Sequence, residues 1–149
     1  MLRCDRILNT SMLYPGNYGY IPNTLGGDGD PLDILIMTEC LYPGIIIKCK
    51  VIGALITEDE KGMDEKIILV PINKVDPKSK NITDIEDIPK STINQIIHFF
   101  QHYKDLEEGK WINIGELKSK DSDSKVETLS RKQSIEISPI VKKDEDNVI

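Results

Sequence analysis

The amino-acid sequence predicts an α+β domain, mainly β with one substantial helix, and three observations predict it. Runs of apolar, largely β-branched residues recur at Ile34-Leu35-Ile36-Met37, from Ile45 to Ile56 and at Ile67-Ile68-Leu69-Val70, and Gly, Pro and acidic residues interrupt the chain between them. Ile93, Ile96, Ile97, Phe100 and Tyr103 repeat instead at the three- and four-residue steps of a helix. With 149 residues, of which 39% are hydrophobic, the chain is long enough for one domain around a core of ordinary size.

From the N-terminus, the first informative stretch is Tyr14-Pro15-Gly16-Asn17-Tyr18-Gly19-Tyr20-Ile21-Pro22, dense in turn formers yet holding three of the five tyrosines after Tyr14 is counted. Extended spacing puts Tyr18 and Tyr20 on one face, where the rings can pack while the hydroxyls reach a polar ligand. Next comes Asp28-Gly29-Asp30-Pro31-Leu32-Asp33, three carboxylates within six residues. Ionised carboxylates this close repel one another unless water screens each or a cation sits among them, and a hard cation such as Mg2+ suits oxygen donors. Gly29 permits a turn where a Cβ would clash, and Pro31 stiffens it. The apolar run that follows reads as a strand buried on both faces, which sets Asp33 at the edge of a core and favours a metal site over a solvated turn.

Tyr42-Pro43-Gly44 marks the turn before the long apolar stretch, in which Gly53 is the expected bulge or bend. A second acidic segment, Thr57 to Lys66, reads as a hairpin loop leading into Ile67-Ile68-Leu69-Val70. Alone it has the look of a solvated tip, but two acidic loops can converge at one end of a small β core. The helix is expected to begin near Pro89 or Ser91 and to end before Gly109. His98 and His102 lie four apart without the intervening glutamate of H-E-x-x-H, so they read as a solvent-side pair. Lys104 reads as a favourable charge near the helix C-terminus.

Lys110 to Ile114 alternates as a last strand. Residues 117–149 are rich in Ser, Lys and Asp and have no aromatic residue, so the division expected is a domain over 1–116 and a polar, partly disordered tail. Ser124-Lys125-Val126-Glu127 has the form of a capping box that can open a short C-terminal helix.

The formal net charge of −6 argues against nucleic acid or an anionic membrane surface as partner. Cys4, Cys40 and Cys49 are odd in number and far apart, which indicates neither a disulfide framework nor a zinc site and suits a reducing compartment. No apolar run reaches the length of a membrane span and the N-terminus is too charged for a signal peptide, so the default expectation is a cytoplasmic protein.

Asp5-Arg6, Tyr14-Pro15-Gly16-Asn17-Tyr18-Gly19-Tyr20 and Asp28-Gly29-Asp30-Pro31-Leu32-Asp33, in this order and spacing, resemble the signature of the soluble inorganic pyrophosphatases of family I, bacterial and plant-like type. The acidic segment with Lys66 and the run Ile97-His98-Phe99-Phe100-Gln101-His102-Tyr103-Lys104-Asp105 resemble further blocks of that family. The resemblance implies a small closed five-stranded barrel akin to the OB fold with the helix packed on it, and hydrolysis of pyrophosphate to two orthophosphates within a cluster of Mg2+ ions, with Mn2+ or Zn2+ as substitutes. The chemistry agrees, because a polyanionic substrate repels hydroxide until cations neutralise it and acidify a water. Carried over residue by residue, Asp28, Asp33, Asp59 and Asp64 are the implied metal ligands and Asp30 the implied base. Arg6, Tyr18, Lys66, Tyr103 and Lys104 are the implied phosphate-binding set, Arg by a fork, Lys as a point charge and Tyr by one hydroxyl.

The resemblance also implies a portion ahead of Asp5-Arg6 that contributes an acidic residue and a lysine. This sequence opens only three residues before Cys4, so an incomplete barrel with open strand edges is expected, which a homo-oligomer would cover. The alternative reading is a catalytically impaired homologue or fragment acting only as an oligomer partner. A calcium module is a third: with Asp28 at loop position one, Asp30 falls at three and Glu39 at twelve, but Asp33 replaces the glycine of position six and no amphipathic helix precedes the loop.

Overall fold

The computed structural model describes residues 4, 6–25 and 29–121, and the backbone alone of 135–139. Its regular elements are β1 (Asn17–Tyr20), β2 (Asp33–Ile36), β3 (Ile47–Asp59), β4 (Gly62–Pro71), the helix α1 (Lys90–His102), β5 (Ile112–Ser119) and β6 (Ile135–Pro139). Two short 3-10 turns, Pro77–Asn81 and Ile85–Asp87, join β4 to α1. The class is α+β with one main helix, as the sequence patterning predicts.

The apolar runs are continuous because their strands are covered on both faces. In β4, Ile67 and Leu69 enter one cluster with Ile34, Ile36, Val51 and Ala54. Ile68 and Val70 enter another, with Leu35, Ile52 and Leu55, over which Ile96, Phe99 and Phe100 of α1 pack. Each fully buried Ile or Leu contributes roughly 1.5–3 kcal/mol by removal from water. α1 starts directly after Pro89, whose fixed φ suits a helix entry, and its capping residue Tyr103 donates its backbone N–H to Phe99 O. The helix C-terminus is thereby set beside the ends of β2 and β4.

The sheet order is β4-β2-β1-β6-β3-β5, and β3 also pairs with β4. The β2–β4 pairing is parallel and the other pairings are antiparallel. The sheet is therefore mixed and six-stranded: the pairings run β4-β2-β1-β6-β3 and return from β3 to β4, a ring of five strands, as many as the barrel expected, and β5 is added on β3 outside it. The junction is β3. Along one edge it pairs with β4, while the other edge is divided between β6, at Ile47 to Cys49, and β5, at Gly53 to Asp59. The register shifts between Val51 and Gly53, at the bulge expected there. A Cβ at Gly53 would lie 2.6 Å from Lys118 O and 3.0 Å from Ile85 Cβ, so only glycine lets these segments approach.

Two expectations are corrected. The acidic segment from Thr57 to Lys66 is mostly strand: β3 runs to Asp59 and β4 starts at Gly62, whose φ of +122° permits the tight reversal. In the stretch expected to be a polar tail, the backbone of Ile135–Pro139 pairs with β1 and β3, adding a strand that sequence patterning did not predict. The short helix expected after Ser124 lies outside the described residues. The calcium-module reading fails on topology, since β1 precedes the acidic turn and β2 follows it where helices are required.

Candidate active site

The site is assembled by strand register. Parallel pairing sets Asp33 of β2 opposite Lys66 of β4, and Asp64, two residues earlier on β4, shares the face of Lys66. Lys66 Nζ donates to Asp33 Oδ2 at 2.7 Å and to Asp64 Oδ2 at 2.6 Å, the short range of charge-assisted hydrogen bonds. All three residues are buried, at 4%, 2% and 6% exposure respectively.

Aromatic rings wall this cluster. Lys66 Nζ lies 5.8 Å from the ring centres of both Tyr18 and Phe100, within cation–π range, and 3.5 Å from the Tyr18 hydroxyl. Tyr14 stacks on Tyr18 with centroids 4.5 Å apart and touches Phe99 at 4.7 Å, and Phe99 in turn stacks on Tyr103 at 5.3 Å. Burial opposes the Lys66 charge, but the groups around it, Tyr18, Asp33, Asp64 and Tyr103, hold its pKa well above the ordinary lysine value. Burial likewise pushes the Tyr18 phenol well above its usual range and Tyr103 up to about 12, so both act as hydroxyl donors at neutral pH.

A second pair lies at the rim. Lys104, just beyond the end of α1, donates to Asp59 Oδ2 at 2.9 Å, and both side chains are partly buried. Burial works to raise the Asp59 pKa, yet hydrogen bonds from Lys104 and the backbone of Lys61 bring it below its ordinary value. Tyr103 stands between the pairs: Lys104 Nζ is 5.7 Å from its ring centre, and the charges of Lys66, Asp64, Asp33 and Asp59 all act on its hydroxyl.

Of the residues singled out from sequence, Tyr18, Asp33, Asp59, Asp64, Lys66, Tyr103 and Lys104 are thus brought together. Asp30 is half-buried in the turn whose Gly29 has a φ of +84°. The base of that turn is closed by Ile21 N donating to Leu32 O at 3.0 Å, and by Thr24, whose hydroxyl donates to Ile21 O at 2.6 Å and accepts from Leu32 N at 3.0 Å. Arg6 is exposed and acts electrostatically on Tyr14. Asp28 lies outside the described residues. Among the described residues, no three His, Cys, Asp or Glu side chains form a ready cation cage.

The histidine pair sits apart as expected: both rings are exposed, 4.7 Å centre to centre, and His102 Nδ1 is 2.8 Å from Asp105 Oδ2. A cavity of about 540 Å3 is lined by Met12, Leu13, Pro15, His98 and Phe99 among others and includes none of the site carboxylates. Sequence reasoning missed Asn17 and Phe100 as builders of the site. Buried Asn17 donates to the carbonyls of Ile36 and Glu39 at 3.2 and 2.9 Å and accepts from Leu41 N at 2.8 Å, clamping β1 to the chain beyond β2. Its signal was available, since it lies inside the tyrosine motif, but Asn there is indistinguishable from a turn former.

Known proteins match this chain over most of its length. The family model described as inorganic pyrophosphatase matches residues 1–133. The inorganic pyrophosphatase of Sulfolobus acidocaldarius is 54% identical over 115 residues, covering 76% of this chain and 66% of that one. That of Helicobacter pylori is 46% identical over 126 residues, covering 84% of this chain and 73% of the relative. Among solved structures, the Helicobacter pylori inorganic pyrophosphatase superposes with a TM-score of 0.79 at 44% identity, over 85% of this chain and 75% of that one. The Thermus thermophilus inorganic pyrophosphatase gives 0.77 at 40%, over 85% and 72%. The chain spans about two thirds of the length of the first curated relatives it matches, at 66%, 67% and 63%. A sheet that buries alternating carboxylates and a lysine beneath tyrosines, in a sequence half identical to such relatives, leaves one assignment: the chain belongs to the inorganic pyrophosphatase family.

Proposed function

We propose that the chain hydrolyses inorganic pyrophosphate to two orthophosphates with the help of Mg2+. The observation that carries this reading is the buried Asp33–Lys66–Asp64 cluster, built from residues that the family resemblance had already assigned to metal and phosphate. Members of the family need divalent metal ions. The donor set suits one: Asp33, Asp64 and Asp59 are hard oxygen donors, and the first two already stabilise a positive charge between them, that of Lys66. Asp28 would join them. When bound, the ions supply neutralisation of the substrate's negative charge and a lowered pKa for water.

The chain's own residues do the rest. Lys66 and Lys104 attract the phosphoryl oxygens as point charges, Arg6 can grip two oxygens at once, and the Tyr18 and Tyr103 hydroxyls each donate one hydrogen bond. The partly desolvated setting of the two lysines and two tyrosines strengthens their attractions relative to water. Asp30, presented by a stiffened turn, takes the proton from the attacking water as general base. Among the described residues no helix is long and apolar enough to cross a membrane. We place the protein in the cytoplasm as a homo-oligomer that covers strand edges, with no nucleic-acid partner.

The test is phosphate release from pyrophosphate with Mg2+, comparing the wild type with Asp30→Asn and Asp33→Asn. Activity in the wild type and a loss of about two orders of magnitude or more in each variant is expected. A folded wild type that releases no phosphate would defeat the enzymatic reading and favour the impaired homologue, and full activity in both variants would defeat the assignment of roles.

A further inference from the structure

Both lysines assigned to phosphate are engaged with carboxylates assigned to metal. Lys66 Nζ is held by Asp33 and Asp64, and Lys104 Nζ by Asp59. Lys66 spends two of its three N–H donors on these carboxylates and Lys104 one of its three, and those donors cannot also serve an incoming anion. The charge count points the same way: two carboxylates around one ammonium leave one negative charge over, which a divalent cation in the ammonium's place would neutralise. Tyr18, Phe100 and Tyr103 border the cluster, so a displaced Lys66 chain stays against ring faces that favour a cation.

We infer that Lys66 and Lys104 are resident counter-cations: a divalent metal displaces their ammonium groups from Asp33, Asp64 and Asp59, and only the displaced groups are available to the anion. The inference rests on the proposed metal-dependent phosphate chemistry and adds an order to it. Metal binds first, and metal and anion strengthen each other's binding by the same factor, as linkage demands. It also gives each lysine a role against the metal that is opposite to its role toward the substrate.

The test is calorimetric titration of Mn2+ alone into the wild type, Lys66→Met, Lys104→Met and, as a control, Lys110→Met, whose lysine pairs with Glu60 instead. Lys66→Met and Lys104→Met are expected to bind Mn2+ about tenfold more tightly than the wild type, and Lys110→Met equally to it. Mn2+ should also raise the melting temperature of Lys66→Met more than that of the wild type. If Lys66→Met does not fold without metal, Lys104→Met at the rim carries the affinity comparison. Unchanged or weaker Mn2+ binding in the two site variants overturns the inference, as does an equal gain in Lys110→Met, which would mark a general charge effect. In a second arm, orthophosphate should bind the wild type about tenfold more tightly with Mn2+ present, and equal affinity overturns the proposed order. A wild type with this binding pattern but no pyrophosphate hydrolysis would sustain the inference and sink the catalytic reading. Hydrolysis with lysine-independent metal affinity would do the reverse.

Discussion

Two ion pairs of one length behave as different objects in this molecule. Lys66 to Asp33 and Lys78 to Glu39 each span 2.7 Å, yet the first pair's side chains are 5% and 3% exposed and the second's 77% and 81%. Distance alone ranks them equal. Burial separates them, because water screens the outer pair and holds either partner comfortably when the other leaves, whereas the inner charges, with Asp64 beside them, are shielded from water and depend on the protein groups around them. The lesson is that the inner cluster is a committed charge arrangement: it is poor evidence of net stabilisation, but its removal piecemeal is severe.

The sharpest way to break the comparison is Lys66→Met. Without metal it should lose about 3–5 kcal/mol in urea unfolding, since two buried carboxylates are left facing each other. A loss near zero would mean the interior is wetter than its burial implies. Lys104→Met tests the middle ground, where Lys104 and Asp59 are 14% and 13% exposed. A loss of roughly 1 kcal/mol is expected by the same unfolding measurement, between the two extremes.

The contrast extends to the thiols and there acquires a pH dependence. Cys49 is buried in the core and burial pushes its pKa up to about 12 from 9.0, while Cys4 and Cys40 are exposed. A thiol reagent at neutral pH should label Cys4 and Cys40 and reach Cys49 only on unfolding. The sign follows from the raised value. Cys49's contribution is complete below the unfolded pKa of 9.0 and is lost as pH climbs through about 12, because only the unfolded thiol ionises in that window. Cys49→Ala should start less stable yet fall less steeply over that window in pH-dependent unfolding. The smallest effect is expected at the surface: Lys78→Ala and Glu39→Ala should leave the melting temperature unchanged within error, and a double-mutant cycle should show no coupling. Clear coupling there would erase the distinction drawn from burial.

Much of this arrangement was legible in the chain and part of it was not, for definite reasons. Ile34-Leu35-Ile36 and Ile67-Ile68-Leu69-Val70 read as two-faced strands because a continuous apolar run cannot alternate, and α1 read as a helix from its stripe. Asp33, Asp64 and Lys66 were recognisable by type. Their meeting was not, because no local pattern states that β2 and β4 pair in parallel with Asp33 opposite Lys66. Lys104 reaches Asp59 across 45 residues of sequence, again through tertiary placement. The acidic segment was misread as a loop because charged residues dominate its composition, while Gly62 lets the strands continue almost to the turn. β6 escaped notice because a polar surrounding hid its Ile135-Glu136-Ile137 alternation.

The divided edge of β3 has a kinetic consequence. β6 meets β3 in three residue pairs and β1 in two, whereas β3 and β4 are joined from Cys49 to Asp59. Openings that release β6 therefore break few backbone pairings, while freeing Val51 to Leu55 dismantles both packed layers. Under native conditions, backbone amides along the β6 seam should exchange with deuterated solvent by brief local excursions. Those of central β3 should wait for the whole molecule to unfold.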